Sequence, residues 1–148
     1  KILIIGATGS VGTAAIQIAK HHKADITAVC SSEGLGLVNE LGVKNVILYD
    51  KEDFTKQTEK FDIIFDAVGK TTKKDCRNLL TQNGIYKSVN LGYASETIQQ
   101  LQLLKELFEK GELKAVVDKT FKMDEIIDAH RYVDTSRKKG NVVLKISE

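Results

Sequence analysis

A run of small residues near the N-terminus, Gly6-Ala7-Thr8-Gly9-Ser10-Val11-Gly12, stands between an apolar stretch, Ile2 to Ile5, and a segment with helical periodicity. Glycines and hydroxyls gathered in one strand-to-helix turn suit the binding of phosphate. A dinucleotide pyrophosphate needs a tight turn without side chains in the way, and free N–H groups at a helix N-terminus aimed at its negative charge. Gly9 allows close backbone approach, Gly12 lets the helix lie against the sheet, and the amides near Ser10 and Val11 supply donors. Glycine spacing alone is weak evidence, and Thr8 and Ser10 are also ordinary helix-capping residues. The strand before the turn and the helix after it carry the assignment.

Other chemically capable residues have plainer readings. His21 and His22 end the first helix, where an imidazolium suits the carbonyl dipoles and the neighbourhood lacks further metal ligands. His130 falls on the apolar side of a short helix with Met123, Ile126 and Ile127 and is expected to be packed. Cys30 and Cys76 lie far apart without Cys-x-x-Cys spacing, so neither a disulfide framework nor a zinc site is indicated, and both read as small hydrophobes. Asp62 and Asp66 lie on or beside one strand, and Asp66 reads as that strand's polar end next to the crevice rather than as half of an acid/base pair. Arg137, Lys138 and Lys139 form a basic run of the kind that is usually solvated.

The elements that must position the turn follow a βαβαβ rhythm: Ile2 to Ile5, a helix to Lys20, Ile26 to Val29, a helix to Leu41, and Val46 to Leu48. Continuous Val/Ile/Leu strands imply burial on both faces, the condition of a parallel sheet between helices. A second half has a strand at Ile63 to Phe65, a helix from Thr71 to Leu80 and a strand at Ile85 to Val89. Ile98, Leu101, Leu104 and Phe108 recur at helical spacing before Lys110 and a stop at Gly111. A strand at Ala115 to Val117, the Met123 helix and a strand at Val142 to Ile146 complete the chain. The fold class is α/β, a Rossmann-type doubly wound parallel sheet with helices on both faces.

The 148 residues hold 22 Lys and Arg against 20 Asp and Glu, a net charge of +2 that offers no footprint for nucleic acid. Apolar runs are strand-sized, far below the roughly 20 residues of a membrane span. Lys1 opens directly onto a core strand without initiator Met or signal peptide, so the chain is expected to begin partway along a longer polypeptide, and reduced thiols suggest a cytoplasmic setting.

Residues Gly6 to Lys20 resemble the cofactor-binding turn of the zinc-independent quinone oxidoreductase branch of the medium-chain dehydrogenase/reductase superfamily, in which Ala stands where Ala7 does. Val29-Cys30-Ser31, Phe61 to Gly69, Gly84-Ile85-Tyr86, Leu103 to Asp118, Ala129 to Val133 and Gly140 to Val143 extend the likeness over nearly the whole chain. The resemblance implies an oxidoreductase passing hydride from NADPH to a quinone-like or conjugated carbonyl acceptor, with residues 1–118 as the dinucleotide-binding domain. It implies that residues 119–148 pack on an N-terminal catalytic domain absent from this chain, so that no catalytic residue is assigned, no metal is expected, and the fragment alone is expected to be inactive. A homodimer through the sheet edge is a further expectation. A non-enzymatic nucleotide redox sensor or dimerisation module is the competing class, since fold alone does not set function.

By the same resemblance the cofactor is held by Ala7, Thr8, Gly9, Ser10, Val11 and Gly12, by Ala67, Val68 and Gly69, and by Lys139 and Asn141. Ser31 and Ser32 stand where an NAD site carries an acid, as hydroxyls do in NADP-binding members, and Tyr49 matches a tyrosine near the adenosine end. NADP is therefore the expected cofactor. NAD stays open, because Glu33 stands where many relatives have a base and is placed to bind a ribose. Relatives also have additional chain between the strand ending near Ser88 and the next; a strand cannot feed directly into its parallel neighbour. A gap is expected near Ser88 and Val89, with Val89 to Tyr93 on a sixth strand, or else a five-stranded sheet with the chain running straight on.

Overall fold

A computed structural model describes residues 1–92 and 96–146. The main sheet has five parallel strands in the order β3-β2-β1-β4-β5: β1 (Ile2–Ile5), β2 (Ile26–Cys30), β3 (Asn45–Leu48), β4 (Phe61–Asp66) and β5 (Leu80–Ser88). α1 (Ser10–His21) crosses from β1 to β2 and α2 (Leu35–Glu40) from β2 to β3. The order turns back beside β1, so the ends of β1 and β4 open a crevice at the switch point.

Alternate side chains of these strands enter two cores. One holds Ile4, Ala28 and Cys30 with Ile16 and Ala19 of α1 and Val38 of α2. The other holds Leu3, Ile5, Val29 and Ile64 with Phe61, Cys76, Leu79 and Tyr86. α-Helices cover the first face. The second is closed by Phe54, from a 3₁₀ turn at Phe54–Lys56, and by the irregular passage from β4 to β5.

That passage differs from the helix expected over Thr71 to Leu80. Thr72 and Asp75 close a tight turn on each other: the Thr72 amide and hydroxyl donate to Asp75 Oδ2 at 2.8 and 2.7 Å, and the Asp75 amide donates back to Thr72 Oγ1. Such side-chain bonds compete with the helical ladder. Only a 3₁₀ turn at Arg77–Leu79 remains.

The chain is continuous past Ser88. The Val89 amide donates to Asp66 O at 3.1 Å, and the Leu91 amide donates to Ser88 O at 3.0 Å, closing a turn that leaves no gap between Ser88 and Val89. Val89 to Gly92 form no strand, and Tyr93 lies outside the described residues. Among the described residues the main sheet keeps five strands, the outcome that follows when too few residues remain for a parallel crossover.

α3 (Ile98–Glu109) starts on a Thr97/Gln100 capping box and buries Leu107, leaving Ile98, Leu101 and Phe108 exposed. β6 (Val117–Lys122) begins two residues after the start expected for it and pairs in parallel with β7 (Asn141–Lys145), with α4 (Ile126–Asp134) between them. His130, expected to be packed, is exposed. Met123, in a 3₁₀ turn at Met123–Glu125 before α4, is exposed, and so is Ile127, because α4 turns only Ala129 fully inward.

This C-terminal piece docks on the glycine turn between β1 and α1. Gly140 N–H donates to Thr8 O at 2.7 Å, and Gly9 and Gly140 form an isolated parallel bridge. At the far end of α1, Gln17 exchanges two hydrogen bonds with the Lys114 backbone and His21 meets Glu112 at 2.7 Å. No helix among the described residues is long and apolar enough to cross a membrane.

Candidate functional site

The turn between β1 and α1 uses its three glycines differently. Gly6 has φ +75°, and a side chain there would overlap Val68. Gly12 is buried where a Cβ would overlap Gly6 O and lie 2.8 Å from Ala7 C, so the close approach of α1 to the turn requires glycine. Gly9 is under no such pressure. Its φ is −76° and the nearest atom to an added Cβ would be 3.7 Å away. The fold does not need glycine at Gly9; the open space beside it does, if a ligand is to reach the α1 amides.

That space is a cleft of about 680 Å³ running along the carboxyl ends of the strands. Thr8, Gly9, Ser10 and Val11 form one wall, Ala67, Val68, Lys70 and Thr71 another, and Tyr49 with Phe54 one end. Cys30 reaches its floor, where burial raises the thiol pKa. Of the other residues expected at the cofactor, Ala7 is fully buried beneath the turn and Gly12 lies behind it. Ser31 and Ser32 follow the end of β2, outside this cleft.

Asp66 shapes the second wall. It is completely buried at the end of β4. Oδ1 accepts from the Val68 and Gly69 amides at 2.9 and 2.8 Å, and Oδ2 from the Thr71 amide and hydroxyl at 2.7 Å each. Burial works to raise its pKa, but the Thr71, Val68 and Gly69 donors outweigh it and hold the carboxyl below its ordinary range. Gly69 thus serves the loop through its amide rather than by lining the cleft.

The structure adds Lys138, which the sequence pattern leaves among three basic neighbours. Its Nζ donates to Ser10 Oγ at 2.6 Å and to Gly140 O at 2.8 Å, and Ser10 Oγ donates to Gly140 O at 2.8 Å. Lys139 instead gives its amide to Asp118 Oδ2 at 2.8 Å, and Asn141 Nδ2 donates to Val116 O at 3.0 Å; neither lines the cleft. Asp118 also accepts from Tyr132 OH at 2.7 Å. Burial pushes the Asp118 pKa up, yet the Tyr132 and Lys139 bonds bring it below the usual value, and the same contact raises the tyrosine. Lys119 Nζ lies 3.9 Å from the centre of the Tyr132 ring. Asp118 thereby pins the segment that delivers Lys138. Which of three consecutive basic residues faces the turn depends on this tertiary anchor, and no spacing rule distinguishes them.

A cation at a helix N-terminus opposes the helix dipole. Lys138 is half-buried there and, among the described residues, has no carboxylate partner. An anion seated between Lys138, Ser10 and the α1 amides would relieve that opposition. With Gly9 open beside it, the cleft fits the pyrophosphate of a dinucleotide.

Sheet order, turn and cleft define a Rossmann-type cofactor-binding domain. The family model described as zinc-binding dehydrogenase matches residues 10–117, and the chain belongs to that family, within the medium-chain dehydrogenase/reductase superfamily. It is 31% identical to the 2-methylene-furan-3-one reductase of Solanum lycopersicum, over 97% of this chain and 39% of that protein. It is also 31% identical to the chloroplastic NADPH-dependent alkenal/one oxidoreductase of Arabidopsis thaliana, over 97% of this chain and 40% of that protein. In fold it matches the quinone oxidoreductase from Coxiella burnetii with a TM-score of 0.88 and 24% identity, over 99% of this chain and 52% of that one. The chain therefore spans about two-fifths to half the length of these relatives. Among the described residues no group of three or more His, Cys, Asp or Glu could hold a metal ion.

Proposed function

We propose that this chain is the NADP(H)-binding part of an oxidoreductase acting on a quinone-like or conjugated carbonyl acceptor. The observation that carries the reading is the convergence of Lys138, Ser10 and the α1 N-terminus on the open side of Gly9. The names of the two plant relatives support the reaction class. Ser31, Ser32 and Tyr49 support NADP(H) over NAD(H), since hydroxyls at the end of β2 can donate to a 2′-phosphate.

The bound dinucleotide supplies the hydride chemistry. Of this chain's residues, the α1 amides and Lys138 neutralise the pyrophosphate. Ala67 and Val68, held by the Asp66 loop, form the wall along the crevice, and Tyr49 closes the adenosine end. Polarisation of the acceptor belongs to a catalytic domain beyond this chain, against which the segment 119–148 packs through exposed residues such as Met123 and Ile127. Among the described residues β5 is an edge strand with Ile85 exposed, and this edge is the place for a second copy to pair in a homodimer. Titration with NADPH followed by nicotinamide fluorescence tests the cofactor reading: saturable binding that is lost on Gly9→Trp supports it, and no binding of either dinucleotide by the folded chain refutes it.

A further inference from the structure

The cofactor cleft ends beside two loops that the sheet register brings together. β2 and β3 pair with Cys30 opposite Leu48, so the residues after Cys30 and those after Leu48 are neighbours. Across them, Asp50 Oδ1 accepts from the backbone N–H of Ser32 at 2.9 Å. Ser32 Oγ is buried without a well-aligned hydrogen bond among the described residues, yet it lies close enough to Asp50 that the Ser32 hydroxyl and amide together hold that carboxyl below its ordinary range. Glu33 follows it, exposed. Neither Asp50 nor Glu33 is joined to a Lys or Arg in an ion pair among the described residues. Lys51 is the one basic residue adjacent in sequence to either carboxylate.

In a Rossmann site the end of the second strand meets the adenosine ribose: an acid there takes the ribose hydroxyls and rejects a 2′-phosphate, while donors and cations accept it. This chain mixes the two designs. The strand end carries serine hydroxyls, which are phosphate donors, but a carboxylate arrives from the neighbouring loop and occupies the Ser32 amide. We infer that Asp50 is a specificity-determining residue, which competes with the 2′-phosphate of NADP(H) for the Ser32 amide and repels its charge, so that the site favours NADP(H) far less than its serines alone would. The inference rests on the dinucleotide reading above.

Two substitutions separate charge from hydrogen bonding. Asp50→Asn removes the charge and can still accept from Ser32, whereas Asp50→Ala also frees the amide. Affinities for NADPH and NADH are measured by isothermal titration calorimetry on the unmutated chain and both variants. Asp50→Asn is expected to tighten NADPH about fivefold, the size of one solvent-exposed charge interaction. Asp50→Ala tightens it further, and NADH changes by less than about twofold in each. The gain shrinks in about 0.5 M salt, where screening shortens the reach of the carboxylate. NADH affinity is the control for folding. An unchanged NADPH-to-NADH ratio with intact NADH binding overturns the role of Asp50 and leaves the dinucleotide reading standing; failure of the unmutated chain to bind either cofactor overturns both.

Discussion

Replacing Lys138 by Gln separates ligand binding from folding. In the free protein Lys138 makes two hydrogen bonds, to Ser10 Oγ and Gly140 O, while standing at the positive end of α1. Losing the two bonds costs about 1 kcal/mol each. Part of that is regained by a glutamine amide and by removing a cation from a helix N-terminus, worth about 0.3–1 kcal/mol. Stability should therefore move by less than about 1 kcal/mol. With a pyrophosphate bound, the lost interaction is a charge-assisted hydrogen bond in a half-buried site, about 1.5–3 kcal/mol, or roughly tenfold to a hundredfold in Kd. Urea denaturation gives the first quantity and NADPH titration the second. The salt dependence of Kd should also weaken, because one counter-charge to the phosphates is gone. Lys138→Arg should retain most of the affinity. A glutamine variant with unmutated Kd, or one whose affinity loss only tracks a loss of stability, refutes the assignment of Lys138 to the anion.

The remaining expectations concern the turn, the adenosine end and the buried carboxylate. Gly12→Ala should destabilise the fold by about 1–3 kcal/mol through overpacking against Gly6 and Ala7, whereas Gly9→Ala should leave stability within about 1 kcal/mol and instead reduce dinucleotide affinity, as paired urea and titration curves would reveal. Glu33→Lys should strengthen NADP(H) binding by adding a charge-assisted contact to the 2′-phosphate; tighter NADH than NADPH binding in the unmutated chain would reverse the cofactor preference. Asp66→Asn should cost about 2–4 kcal/mol, since an amide nitrogen cannot accept from Thr71. Because the folded-state pKa of Asp66 lies below its ordinary 3.8, its contribution is fully present above that value and is lost as pH falls through the lowered one, so the stability gap between Asp66 and the Asn variant should close in acid.

Much of the fold follows from local pattern. Apolar runs flanked by helical periodicity determine β1, α1, β2 and β3, because strands buried on both faces and one amphipathic helix leave few other arrangements. The glycine turn is legible for the same reason: its chemistry is backbone chemistry, set by residues adjacent in the chain. What the sequence alone could not decide involves partners distant along it. The helix expected at Thr71 lost to the Thr72/Asp75 turn and to Asp66, whose carboxylate gathers the following amides. Among the described residues Val89 to Gly92 form no further strand of the main sheet, because the Leu91 amide closes a turn on Ser88 O just past β5. Lys138 rather than Lys139 meets the glycine turn because Asp118, some twenty residues earlier, takes the Lys139 amide. Asp50 meets Ser32 only because β2 and β3 lie side by side in the sheet. Elements are governed by periodicity within a few turns of chain, whereas the charges that line a cleft are brought there by the register and docking of whole elements, which only the tertiary structure sets.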